Sequence, residues 1–198
     1  MGIGYALAYR LGITPWEQAG DGGREQLEEL FDREGPGGGA RALDLGCGRG
    51  SHAIQLAERG WQVTGVDLVP QALTAARQRA TDAGQAVDFV AGDVTDLPTS
   101  VGTGYRFVLD IGCFHGLDDD QRRRFGIELD RVTGPEATLL LLAFGPGGRG
   151  PLPRGAGVDD LARTLPTWSI QDQVPADTSG MPRPLRSRAP IFYRLRRT

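Results

Sequence analysis

The residues with most chemistry in them are carboxylates at or beside the ends of apolar runs: Asp44, Asp67, Asp93 and Asp110, with His115 five positions beyond the last. Behind Asp44 comes Gly46-Cys47-Gly48-Arg49-Gly50, three glycines at alternate positions. Glycine permits the positive φ angles of a tight turn and leaves no Cβ to block a ligand lying against the backbone. Asp67 closes the next apolar run, where a carboxylate can accept both hydroxyls of a ribose; each such charge-assisted bond contributes about 1.5 to 3 kcal/mol. His115, with an unperturbed pKa of about 6.5, suits proton removal at neutral pH or contact with a substrate; the alternative is a structural, hydrogen-bonding histidine. Chain-wide, every one of the 22 basic residues is arginine, which removes lysine as a base or Schiff-base former.

These residues need elements to position them. From Arg41 onward, strand-like and helix-like segments alternate at the spacing of a parallel sheet with crossover helices. Strands are predicted over Ala42–Leu45, Trp61–Val66, Val87–Val90, Tyr105–Ile111, Ala137–Phe144, Thr167–Val174 and Ala189–Leu195. Helices are predicted over Ser51–Arg59, Pro70–Ala83, Asp119–Val132 and Val158–Thr164; in the third, Phe125, Leu129 and Val132 fall on one stripe. Asp44, Asp67 and Asp110 then stand at strand ends and the glycines open the first crossover. Glu25–Arg33 reads as a helix packed on the sheet, preceded by Tyr5, Tyr9 and Trp16 in a segment that could cover the mouth of a site. Residues 1–39 are accordingly expected to form a helical cover, joined through Gly35–Gly39 to a domain over residues 40–198.

Asp44 to Gly50 resembles the first motif, D-x-G-x-G-x-G, of the seven-stranded class I S-adenosylmethionine-dependent methyltransferases. Asp67-Leu68 is similar to the family's acidic second-strand end. Gly92-Asp93-Val94-Thr95-Asp96-Leu97-Pro98 falls where the family sets an acid against the adenine amino group, and Phe107 to His115, through Asp110 and Ile111, looks like its fourth-strand motif. The resemblance covers roughly residues 40 to 145, in the family's order and intervals. It implies an α/β fold: a three-layer αβα sandwich with a doubly wound, mostly parallel seven-stranded sheet whose last strand is antiparallel. It also implies S-adenosylmethionine as cofactor, S-adenosylhomocysteine as product, and cofactor contacts from Asp44, Gly46, Cys47, Gly48, Gly50, Asp67, Leu68, Asp93, Val94, Asp110 and Ile111. The segment after Asp110 lacks the Pro-Pro-aromatic run of nucleic-acid amino methyltransferases, so nucleic acid is disfavoured as a partner. It looks instead like the small-molecule branch of tellurite-resistance and thiopurine-type enzymes, with His115 the candidate catalytic residue. Thr14-Pro15-Trp16-Glu17 is similar to the segment that folds over the cofactor in that branch, which adds Trp16 to the cofactor contacts.

The acceptor so implied is a small molecule methylated on O, N or S, by a monomer or homodimer. Tyr5, Tyr9, Phe114, Phe144 and Trp168 are pocket or core candidates, and the loop Gly145–Gly157, carrying Arg149 and Arg154, could close on an anionic substrate or be a plain solvent loop. Three other readings stay open. The six arginines between Arg183 and Arg197, with no acid among them, suit either a solvated strand and loop or contact with a protein or RNA substrate. A catalytically silent cofactor-binding subunit could share the same motifs. A nicotinamide-dependent Rossmann oxidoreductase would want glycine at position 51, where Ser51 stands. Cys47 and Cys113 have neither zinc-ligand nor iron–sulfur spacing, so no metal is expected, and both read as small buried or site-lining thiols. No apolar run approaches the roughly 20 residues that cross a bilayer, and the N-terminus lacks a signal-peptide pattern, which predicts a soluble, cytoplasmic protein without a membrane partner.

Overall fold

The computed structural model describes residues 24–147, 153–179, 181 and 183–198. Tyr5, Tyr9, Trp16 and Arg149 lie outside them. The elements in chain order are α1 (Arg24–Arg33), β1 (Arg41–Leu45), α2 (Ser51–Glu58), β2 (Gln62–Asp67), α3 (Pro70–Asp82), β3 (Val87–Ala91), β4 (Tyr105–Ile111), α4 (Asp119–Val132), β5 (Thr133–Ala143), α5 (Val158–Thr164), β6 (Trp168–Pro175), α6 (Arg183–Arg186) and β7 (Ile191–Arg197). Seven strands form one sheet in the order β3-β2-β1-β4-β5-β7-β6. The first five are parallel, and β7 runs antiparallel between β5 and β6. The chain fills one side of β1 through β2 and β3, then returns to its other side with β4. Ligands in open α/β sheets bind at such a reversal, in the crevice beyond the carboxyl ends of the strands.

Apolar side chains on the two faces of the sheet build two cores. One takes Leu27, Leu30 and Phe31 of α1, Ala53, Ile54 and Leu56 of α2, and Leu73, Ala76 and Ala80 of α3; the other takes Phe125, Leu129 and Val132 of α4 and Leu161 of α5. Helices on both faces make the three-layer sandwich that the motifs imply. β5 carries Leu139 to Leu142 because a central strand is covered on both sides. It begins four residues earlier than its apolar run: Thr133 already pairs with Tyr105, and the ladder then slips before Phe107 meets Thr138. Glu136 takes up that slip with φ 62°.

The ring of Phe31 meets that of Phe107 edge-on, 6.2 Å between centroids, so α1 packs on one face of the sheet, as its stripe predicts. The expected N-terminal cover therefore concerns only residues before α1, outside the described ones. Between β6 and β7 the single turn α6 appears where the sequence suggested strand or loop. No helix among the described residues is long and apolar enough to cross a membrane.

Candidate functional site

At the carboxyl end of β1, Gly46 and Cys47 both donate backbone N–H groups to the carbonyl of Val66 on β2, at 2.8 and 3.0 Å. The chain then turns through Gly46, Gly48 and Gly50, with φ of 72°, 52° and 77°, into α2. At Gly46 and Gly50, what fills the space left by the missing Cβ is protein rather than open crevice. A Cβ on Gly46 would overlap Cys113 Sγ, and one on Gly50 would lie 2.8 Å from the ring of Phe89. Cys47 and Cys113 are buried on either side of this turn, and burial holds both thiols above their usual range, hence protonated.

Asp44, Asp67 and Asp110 are buried around the turn. Asp67 is held by backbone donors: Oδ2 accepts from Gly48 N at 2.9 Å and Oδ1 from Val69 N at 2.8 Å. It fastens the glycine turn to the end of β2, a role its spacing did not suggest. Asp110 does the same after β4, accepting from Cys113 N at 2.7 Å and Phe114 N at 3.0 Å. Burial pushes its pKa up to about 7, against the lowering effect of those donors. Asp44 differs, because its Oδ2 is buried without a hydrogen-bond partner. Its pKa rises to about 8, from burial first and then from the charges of Asp67 and Asp110. The backbone of Ala53, in the first turn of α2, opposes that rise, and among the described residues no cationic side chain contributes. A buried carboxylate with one oxygen unsatisfied is costly unless a donor or a positive charge arrives.

The remaining predicted contacts divide. Leu68, 41% exposed, sits next to Asp67 at the mouth, and Ile111 is half-buried. Asp93 ties its own turn, accepting from the backbone and hydroxyl of Thr95, both at 2.8 Å. Val94 is packed into the core with Val66 and Leu97.

His115 is brought to the β4 side of the crevice but is buried and committed. Its Nδ1 accepts from Phe144 N at 3.3 Å, and its ring packs against that of Phe144 at 4.9 Å. Burial, then the charge of Arg122, lowers its pKa to about 4, so the ring is neutral and the nitrogen that would take a proton already has one shared with it. Of the pocket candidates, Phe114 is fully buried against Phe125 and Trp168 donates Nε1 to Asp130 at 3.0 Å, so both are core. The described ends of the Gly145–Gly157 loop are tied down: Gly145 N to Arg188 O at 2.7 Å, Gly155 N to His115 O at 3.0 Å, Ala156 N to Phe144 O at 2.8 Å. Arg154 pairs with Asp119 at 3.2 Å. Free closure on an anion does not fit these ends.

Residues 42–136, which hold the glycine turn and all three buried carboxylates, match the model of a methyltransferase domain. This part of the chain is a methyltransferase domain. The fold agrees: a 1,6-didemethyltoxoflavin-N1-methyltransferase of Burkholderia thailandensis, solved with S-adenosylhomocysteine, aligns at TM-score 0.75 and 24% identity over 98% of this chain and 85% of its own. A tellurite-resistance-type (TehB-like) methyltransferase of Corynebacterium glutamicum aligns at TM-score 0.66 and 22% identity, covering 86% of each chain. Among curated relatives, a 2-heptyl-1-hydroxyquinolin-4(1H)-one methyltransferase of Mycobacteroides abscessus is 31% identical over 142 residues. That stretch is 68% of this chain and 61% of the relative, so the chain spans about three fifths of that enzyme's length. For a methyltransferase domain the unsatisfied Oδ2 of Asp44 is informative. S-adenosylmethionine carries positive charge on sulfonium and ammonium groups, and a buried carboxylate short of one partner fits such a ligand.

Sequence reasoning missed Arg122. The signal was available, since Arg122 stands three residues before Phe125 on the same stripe as Leu129 and Val132, a position that faces the sheet. Its neighbours Arg123 and Arg124 disguise it as part of a solvated run.

Proposed function

We propose that this chain transfers a methyl group from S-adenosylmethionine to an oxygen or nitrogen of a small ring-bearing molecule, with a thiol as the third choice of acceptor. The observation that carries the reading is Asp44: a carboxyl group buried at the sheet's reversal point, with one oxygen unpartnered and no cation beside it among the described residues. S-adenosylmethionine, when bound, supplies an electrophilic methyl group. The residues of the chain bind and orient, and alignment of nucleophile, methyl and leaving group is worth up to about 7 to 11 kcal/mol. In this reading Asp44 faces positive charge, Asp67 shares its carboxylate between the turn and a ribose, and exposed Leu68 offers an apolar surface beside Asp93 for a purine. His115 keeps its bond to Phe144 and acts through the wall it builds. Acceptors that ionise unaided, such as an acidic hydroxyl on a heteroaromatic ring, therefore suit the site best. The 1-hydroxyquinolone and the 1,6-didemethyltoxoflavin named for the two similar enzymes are both ring compounds, the second named for its N1. The segment before α1, with Trp16, is proposed as the cover that excludes water from the methyl.

Calorimetry should give a micromolar dissociation constant for S-adenosylmethionine, about -8 kcal/mol, and none for NADH. Incubation with phenols, heteroaromatic hydroxyls, ring nitrogens and thiols, 2-heptyl-1-hydroxyquinolin-4(1H)-one among them, should yield methylated products by mass spectrometry. Tight NADH binding without S-adenosylmethionine binding would refute the cofactor assignment; cofactor binding with no product from any acceptor would favour the silent subunit. Removal of residues 1–18 should lower transfer far more than thermal stability, and equal rates of tryptic cleavage after Arg10 with and without S-adenosylhomocysteine would count against the cover.

A further inference from the structure

Arg122 lies inside the molecule, its side chain 5% exposed, on the face of α4 turned to the sheet. Nη2 donates to the carbonyl of Gly155 at 2.6 Å, Nη1 stands 3.3 Å from Asp160 of α5, and the guanidinium lies over the ring of Phe114 at 4.9 Å. Nε is buried without a partner. The three groups it touches come from three segments around the β4 and β5 ends of the crevice: the turn after Asp110, the return of the loop after β5, and the start of α5. Gly155 is wedged at this junction, since a Cβ there would overlap the carbonyl oxygen of Gly145, and its N–H meets the carbonyl of His115. Phe144 closes the circuit, donating to His115 Nδ1 and accepting from Ala156 N.

Burying a guanidinium is expensive, and an apolar residue of similar volume commonly serves stability as well or better. A buried arginine with a planar fork offers something an apolar side chain does not: fixed direction toward two acceptors at once. We propose that Arg122 is a positioning residue for the methyl acceptor, fixing the Gly155 return against the Phe114–His115 turn so that the acceptor side of the crevice has one shape. The proposal rests on the methyltransferase reading for the acceptor's place, but not for the junction itself. Arg122 touches neither the glycine turn nor Asp44 or Asp67, so cofactor binding is separable from its role. Its charge also helps keep His115 in the neutral form that accepts from Phe144.

The test compares Arg122→Met and Arg122→Lys in the full-length protein. Three readings are taken: S-adenosylhomocysteine affinity by calorimetry, kinetics with 2-heptyl-1-hydroxyquinolin-4(1H)-one, and an NMR pH titration of the His115 ring protons. For Arg122→Met the expected result is an S-adenosylhomocysteine affinity within about twofold of the parent, an acceptor KM raised about tenfold or more with kcat nearly kept, and a His115 pKa raised by about one unit as a cation is removed. Arg122→Lys, which keeps the charge but not the fork, should hold the His115 pKa near the parent's while recovering only part of the KM. An unchanged KM in both variants, or equal losses of cofactor and acceptor binding, would overturn the proposal. If the parent does not methylate the quinolone, that acceptor is wrong. The KM comparison is then made with whichever acceptor of the panel the parent does methylate, and an unchanged KM in Arg122→Met with that acceptor overturns the proposal.

Discussion

The two flanks of the sheet handle charge in opposite ways. On the side of β1, β2 and β4, three buried carboxyl groups are held by backbone N–H groups, and Asp44 has no cationic partner among the described residues. On the side of β5, β6 and β7, arginines meet acids sent from elsewhere in the chain: Arg194 pairs with Glu34 at 2.6 Å, Arg196 with Glu136 at 3.0 Å, and Arg197 with Asp130 at 3.8 Å. A flank that saturates its charges is built to hold itself together. A flank that keeps Asp44 buried and underpaired holds a proton on it up to about pH 8, and gives that proton up most readily when something positive arrives, so this difference marks where a cation would be received.

The contrast breaks most sharply at the glycine turn. Gly46→Ala sets a side chain at φ 72° into Cys113 Sγ; left-handed strain of about 1 to 2 kcal/mol and overpacking of about 1 to 3 add to an expected loss of about 2 to 5 kcal/mol in denaturant unfolding. Cofactor binding should vanish by calorimetry with it. On the scaffold flank, Glu34→Ala removes both acceptors of the Arg194 guanidinium, which is partly buried, and should cost about 1 to 2 kcal/mol while leaving the cofactor dissociation constant alone. A change in that constant would mean that the two flanks are coupled.

A subtler distinction concerns pH. Asp44 and Asp110 have folded pKa values raised to about 8 and about 7, against about 3.9 for an unfolded aspartate. The folded state thus binds their protons more tightly. The stability they add is full below about pH 4 and is lost as pH rises through 7 and 8. His115, lowered to about 4, works in the other direction and its contribution is lost as pH falls below about 6.5. Thermal midpoints of the free protein should decline from about pH 4 to about 8, most steeply just above about 6.5 where His115 no longer offsets the two carboxyls, and Asp44→Asn should flatten that decline; an identical profile would remove Asp44 from the account. Binding of S-adenosylmethionine near pH 7 should release protons, measurable by calorimetry in buffers of different ionisation enthalpy. The smallest effect belongs to the exposed pair Arg33 and Asp172, both about half exposed: Arg33→Ala should change stability by less than about 0.5 kcal/mol.

Much of this molecule was written locally. A strand that ends in D-x-G-x-G-x-G is legible because the turn demands positive φ at particular residues, and only glycine meets that demand cheaply. The strands of the sheet were placed within a few residues by apolar runs and turn residues, with β5 the largest miss, because Thr133 to Glu136 carry no apolar pattern and join the ladder through a bulge that only pairing with β4 creates. The C-terminal arginines illustrate the other limit. With no acid near them in sequence they suit either a solvated strand and loop or a polyanion contact, and it is the placement of β7 beside β5, with α1 across it, that supplies Glu34 and Glu136.

The succession of strands and helices, the glycine turn and the carboxylates at its edge follow from the conformational needs of a few consecutive residues. What those carboxylates bond to, the burial of His115 with Nδ1 taken, and the place of Arg122 rather than its neighbours inside were set by packing. Those outcomes depend on distances between residues tens of positions apart and on the loss of water around them. Desolvation and long-range pairing, unlike φ preference, leave no local mark in a chain.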